Sequence, residues 1–158
     1  MPAGEYDITS EQGTTFTLSL TYKDSNDAEI DLAGYTGEMQ VRRSISDTQA
    51  VLFLSGPSGS HAAPGIRGSL TGGGSTGEFT TGSTADATKG QTGTGGIMLN
   101  TSSTGGTGTT GGIYMQIDAE TMSNVPSGNH VYDIEIKQGA SITRILQGKF
   151  EVIAEVTR

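Results

Sequence analysis

The chain has 158 residues, a formal net charge of −8 from 9 basic and 17 acidic residues, 25 glycines, and neither cysteine nor tryptophan. That length fits one domain. An acidic balance with no basic cluster argues against nucleic acid and anionic membranes as partners, and the lack of cysteine excludes disulfides, thiolate metal sites and a cysteine nucleophile.

Residues 14–22 alternate strictly, with Phe16, Leu18, Leu20 and Tyr22 against Thr15, Thr17, Ser19 and Thr21. A period of two predicts a half-buried strand with its hydroxyls outward. Lys23 to Glu29 reads as a polar turn, after which Ile30 and Leu32 return to the core. Gly34 to Gly37 is read as a further break. From Gly37 to Arg43 the alternation resumes, with Met39 and Val41 inward and Glu38, Gln40 and Arg42 outward. Ala50 to Leu54 is a short apolar run whose length suits a strand.

Residues 55–112 differ in kind: they hold 18 of the 25 glycines, are otherwise rich in Thr and Ser, and carry only Arg67, Glu78, Asp86 and Lys89 as charges. Composition predicts a loop or linker with two apolar anchors, Glu78-Phe79 and Ile97-Met98-Leu99. No fixed period supports a solenoid.

Regular patterning returns at Gly112 to Ile117, with Ile113, Met115 and Ile117 on one face. Asp118 to Met122 reads as one helical turn capped by Asp118, and Pro126 to Gly128 as a turn. His130 to Lys137 alternates with Tyr132, Ile134 and Ile136 inward. Gln138-Gly139-Ala140 closes a hairpin, and a returning strand to Ala154 places Ile142, Leu146, Phe150 and Val152 on one face with Gly148 as a bulge or bend. Several short strands with almost no helix predict an all-β, antiparallel β-sandwich. The prediction is a single domain over residues 1–158, with a core of 5–54 and 112–158 and an insertion at 55–111.

Catalytic and metal signatures are weak. His61 and His130 lack zinc spacing and are expected at the surface. Asp24, Asn26, Asp27, Glu29 and Asp31 superficially resemble a calcium loop, yet Ala28 and Glu29 fill the fifth and sixth positions, so a hairpin turn is the better reading. The glycine pairs and triplets lack the Lys-Ser/Thr of a phosphate loop. The carboxylates fall at outward strand positions or in turns, which a solvated sheet explains without catalysis. No cofactor is expected. Tyr6, Tyr35, Phe79 and Tyr114 could offer faces to a glycan, which keeps a host-glycan-binding module as an alternative. The residues around positions 1–7 lack the basic and apolar regions of a signal peptide, and no apolar run predicts a membrane helix.

Several segments together carry a resemblance: Tyr6 to Leu20, Asp31 to Thr36, Met39 to Arg42, Val125 to Ile136, Arg144 to Val152 and the ending Glu155 to Arg158. Their order and spacing resemble small structural proteins of tailed bacteriophages, and in particular the immunoglobulin-like domain of phage baseplate upper proteins. The resemblance covers about residues 5–54 and 112–158. It implies a non-enzymatic virion subunit, assembled in the bacterial cytoplasm, whose partners are other virion proteins and copies of itself. A tail, baseplate or fibre-attachment position is expected, with capsid decoration as the alternative. The long Gly/Thr/Ser segment departs from that pattern. It is expected to act as an assembly arm lying along neighbours, because glycine permits close backbone approach and Thr/Ser supply hydrogen bonds without bulk. A β-rich extension packed on its own domain is the competing expectation. Phe79, Ile97, Met98, Leu99 and Tyr114 are the predicted contact residues.

Overall fold

The computed structural model describes residues 2–47, 50–56, 66–71, 78–79, 95–100, 110–117, 119–123 and 125–157. Among them are eleven strands: β1 (Gly4–Glu5), β2 (Ile8–Glu11), β3 (Phe16–Thr21), β4 (Thr36–Arg42), β5 (Leu52–Gly56), β6 (Ile66–Thr71), β7 (Glu78–Phe79), β8 (Gly95–Leu99), β9 (Gly112–Ile117), β10 (Gly128–Gln138) and β11 (Ser141–Ile153). One short helix, α1 (Ala119–Ser123), separates β9 from β10. The predicted capping residue Asp118 lies outside the described residues, as does His61.

The strands form an all-β sandwich. The large sheet runs β1-β11-β10-β4-β5-β6-β7, with β2 also on β11, and the small sheet runs β3-β9-β8. The β11-β10-β4-β5 order facing β3-β9-β8 is that of an immunoglobulin sandwich in which strands G, F, C and C′ face B, E and D. The arrangement is antiparallel in the main, as expected, and three pairings add to it in parallel: β1 and β2 on β11, and β6 on β5. The first and last strands are joined through the whole domain, so no hairpin imposes an antiparallel direction on them.

Alternation explains the core. Met39, Val41, Tyr132, Ile134, Ile136, Phe150 and Val152 point inward from the large sheet; Phe16, Ile97, Leu99, Ile113, Met115 and Ile117 point inward from the small one. Phe16 and Phe150 meet edge-to-face across the two sheets at 5.6 Å between centroids, and Tyr132 meets Phe150 at 6.2 Å, geometry that suits the ring quadrupoles. Met122 and Val125 of the α1 region are fully buried, and the Gln12 side chain donates to the Val125 carbonyl at 2.9 Å, tying α1 to the β2–β3 turn.

Four local expectations are revised. Gly37 is no break; it sits inside β4, paired with Ile136 and Gly56, and a Cβ there would come within 3.0 Å of Ile97 Cγ2. His130 is no surface residue: it shares the inward parity of Tyr132 and is 4 % exposed. Ile142 faces solvent at 59 % exposure, because the β10–β11 register slips between Ile134 and Glu135, leaving Ile145 as an extra residue. One inserted residue reverses the face of everything before it. Gly148 is therefore not the bulge. It keeps regular pairing with Tyr132, and its bare Cα admits the Tyr6 carbonyl, which a Cβ would meet at 2.2 Å.

The Gly/Thr/Ser segment contributes to both sheets. Where described, it forms β6 on β5, β7 on β6, and β8 on β9. The predicted core boundary at 54 and 112 is thus too narrow: Ile97 and Leu99 of β8 belong to the central apolar cluster. Those parts follow the competing expectation of a β-rich extension on the chain's own domain. The hairpin at Gly139-Ala140 matches its prediction, with a positive φ of 58° at Gly139 and none at Ala140, the pattern of a type II′ turn.

Candidate functional site

The outward residues of β4, β10 and β11 stand in cross-strand rows fixed by the register. Lys149, Val131 and Arg42 form one row, Gln147, Asp133 and Gln40 the next, and Arg144, Glu135 and Glu38 the third. Together with Glu5 and Asp7 from the N-terminal segment, and Ile45 beyond β4, the first rows line a groove of ≈ 660 Å³. Period-two alternation places these residues here: the same parity that buries Tyr132 and Ile134 turns Val131, Asp133 and Glu135 outward.

The charges are largely partnered. Arg144 Nε lies 3.1 Å from an Asp133 oxygen and Nη2 lies 3.6 Å from Glu135. Arg42 donates from Nε to Gln40 Oε1 at 3.1 Å and from Nη1 to the Asp47 carbonyl at 2.8 Å. Lys137 pairs with Glu38 just beyond the groove. Such half-exposed pairs orient side chains more than they stabilise the fold, at about 0–1 kcal/mol each. Among the described residues no group of three or more His, Cys, Asp or Glu side chains could hold a metal ion. The groove presents both cationic and anionic groups, with Ile45 exposed at its rim.

One wall of the groove is the N-terminal segment, which is held by hydrogen bonds to β10 and β11. The Tyr132 hydroxyl donates to the Tyr6 carbonyl at 2.6 Å, the Tyr6 amide donates to the Gln147 carbonyl at 2.9 Å, and Asp7 Oδ1 accepts from the Lys149 amide at 2.9 Å. Burial first, and the Asp7 carboxylate next, push the Tyr132 hydroxyl well above its ordinary pKa, so it stays a donor. Nearby, His130 Nδ1 donates to the Phe150 carbonyl at 3.3 Å. Burial lowers its pKa from the ordinary value, against the opposing pull of that carbonyl.

A second polar cluster lies at the β8–β9 connection. Asn100, in the left-handed region at φ 57°, accepts at Oδ1 from the Leu32 amide at 2.9 Å and from the Gly111 amide at 3.2 Å. Its Nδ2 donates to Asp31 Oδ1 at 2.7 Å. The Ala33 amide and then Asn100 hold the Asp31 carboxyl below its ordinary value. In the neighbouring turn Asp24 Oδ1 accepts from the Asn26 and Ala28 amides. The acidic stretch that resembles a calcium loop thus spends carboxylate oxygens on its own backbone as a hairpin turn.

The predicted contact residues are not brought together. Ile97, Met98 and Leu99 are at most 1 % exposed, so their side chains cannot serve as surface anchors: the alternation of β8 sends Ile97 and Leu99 into the core. Met98 aligns on the other face with Tyr114, which aligns in turn with Ser19. Tyr114 is half-buried, and its hydroxyl donates to Gln116 Oε1 at 3.1 Å. The Phe79 backbone pairs with Leu70 in β7, within the large sheet. Of the aromatic residues considered for glycans, Tyr6 is exposed beside β11, Tyr35 packs against the core, and Tyr114 is on the small sheet; these three form no shared platform. The groove rows escaped the sequence reading because outward charge looks the same on any solvated strand. Only the register aligned Lys149, Val131 and Arg42. Asn100 carried no signal beyond its residue type.

No protein-family model and no curated protein matches the chain.

Proposed function

We infer that the chain is a non-enzymatic structural subunit of a bacteriophage particle, at a tail, baseplate or fibre-attachment position, acting through contacts with other virion proteins and further copies of itself. One observation carries this reading. The resemblance segments around Ile8, Met39 to Arg42, Tyr132 to Ile136 and Arg144 to Val152 lie far apart in sequence, Ile8 and its partner Phe150 by 142 positions, yet they form the contiguous strands β2, β4, β10 and β11 of one sheet. Most of the resemblance is thus gathered in one sheet, as a shared docking scaffold requires, while Phe16 to Leu20 of the first segment lie in β3 of the small sheet. The groove on that sheet, rich in paired charges, fits protein recognition in which polar groups set register and specificity. Assembly would then take place in the host cytoplasm and the mature location would be the virion.

The test is quantitative mass spectrometry of purified particles, combined with labelling by an antibody raised against the chain. Low copy number in multiples of three or six, with label at the tail tip, is expected. Hundreds of copies with label on the head would replace this reading with capsid decoration, and absence from particles would end it.

A further inference from the structure

Among the described residues the small sheet ends in an open edge. β3 pairs with β9 on one side, and no described residue pairs with it on the other. The Tyr22 amide bonds the Gly111 carbonyl at 2.7 Å. Because hydrogen-bonded and non-hydrogen-bonded pairs alternate along an antiparallel ladder, Phe16, Leu18, Leu20 and Tyr22 direct their main-chain groups to β9. Those of Thr17, Ser19 and Thr21 therefore face outward from the edge. Natural edges are usually blunted by charge, proline or a bulge. Residues 14–22 contain no charged residue, no proline and no glycine.

The sequence of this edge reads nearly the same in both directions about Ser19: Leu18 mirrors Leu20, Thr17 mirrors Thr21, and Phe16 mirrors Tyr22. We propose that β3 is a self-pairing edge, on which a second copy of this chain adds its own β3 antiparallel about a two-fold axis at Ser19. A two-fold contact needs a surface complementary to itself, and this mirrored order supplies it in every row. Ser19 faces Ser19 of the second copy, and Thr17 faces Thr21, so all the outward main-chain groups meet in hydrogen-bonded pairs. Leu18, Leu20 and Tyr22, each half-buried in a single copy, come to face Leu20, Leu18 and Phe16 of the other. The strip is uncharged, so two chains of net charge −8 approach through a strand on which like charges do not oppose each other. A six-residue strand is only about 20 Å long, and the pair covers less than the roughly 1,600 Å² of a standard stable interface. It is therefore a weak contact, populated at high local concentration such as that within an assembly. The inference does not depend on the virion reading, and either can fail alone.

The chain has no cysteine, so single introduced thiols report the register without background. In the full chain under mild oxidation, S19C is expected to cross-link to itself at least about tenfold faster than T17C or T21C alone, since facing residues lie about 5.5 Å apart and the others roughly 13 Å. T17C mixed with T21C should cross-link to each other. In the unsubstituted chain, raising the concentration to the millimolar range should shift amide resonances of residues 15–22, and S19K should abolish those shifts while leaving the β10 and β11 resonances in place. Equal cross-linking of S19C and T17C, or concentration-dependent shifts confined to the large sheet, would overturn the proposal.

Discussion

The two sheets turn different chemistry to the outside. On the large sheet, β4, β10 and β11 present Arg42, Asp133, Glu135, Arg144 and Lys149, with Arg144 bridging two carboxylates. On the small sheet, β3 and β9 present Thr17, Ser19, Thr21, Tyr114 and Gln116, none of them charged. Inside, both sheets feed one core, joined by the Phe16–Phe150 contact. The charged face is specified by side chains and offers a polar partner a fixed pattern. The neutral face is bounded by an edge whose main chain is itself the recognising element. One domain thus exposes two chemically different surfaces, and the charged side chains of β4, β10 and β11 lie away from the second.

Substitutions can break or sharpen that contrast. Phe150→Ala removes the ring that joins the sheets, and equilibrium denaturation should register a loss of about 3–5 kcal/mol. A value near 1 would mean that the sheets are not stabilised through a common core. Leu99→Ala is expected to cost about 2–5 kcal/mol, although it lies in the segment whose composition reads as a loop; a near-neutral result would detach β8 from the core. Tyr132→Phe leaves the Tyr6 carbonyl without its buried donor and should destabilise by about 1–3 kcal/mol, with faster amide exchange at β1 and β2 than on the small sheet.

The buried His130 gives the large sheet a pH response. Its folded-state pKa lies below 6.5, so as pH falls the unfolded chain takes up a proton first. Its contribution is therefore complete above about pH 6.5 and is lost as pH drops towards the folded value. NMR titration should find the imidazole titrating below 6.5, and His130→Gln should flatten the stability profile in that window. The smallest effect belongs to the surface: Arg144→Ala should change stability by no more than about 1 kcal/mol, while altering any association that uses the groove. A larger loss would show that the outward charges support the fold itself.

What was legible before the structure follows from where period-two alternation persists. Residues 16–21, 37–42, 112–117 and 128–138 became strands with the expected residues inward, because an alternating strand can bury only one face. His130 was legible in the same way, since its parity matches Tyr132, but its residue type outweighed its position. The contribution of β8 was hidden because glycine and threonine composition carries no period, and three adjacent apolar residues fit an anchor as well as a strand. Ile142 was misread because nothing local marks the extra residue at Ile145; the bulge arises from pairing with β10.

By itself, then, the sequence determined the class of fold, the inward set of the regular strands and the hairpin at Gly139, since each depends on neighbours a few positions apart. Tertiary structure alone decided the parallel attachment of β1 and β2 to β11, the recruitment of β8, and the alignment of the groove rows. It also decided which edge is left unpaired among the described strands. These are consequences of pairing between strands distant in sequence, and register between such strands is set by the packing of the whole core rather than by any local pattern.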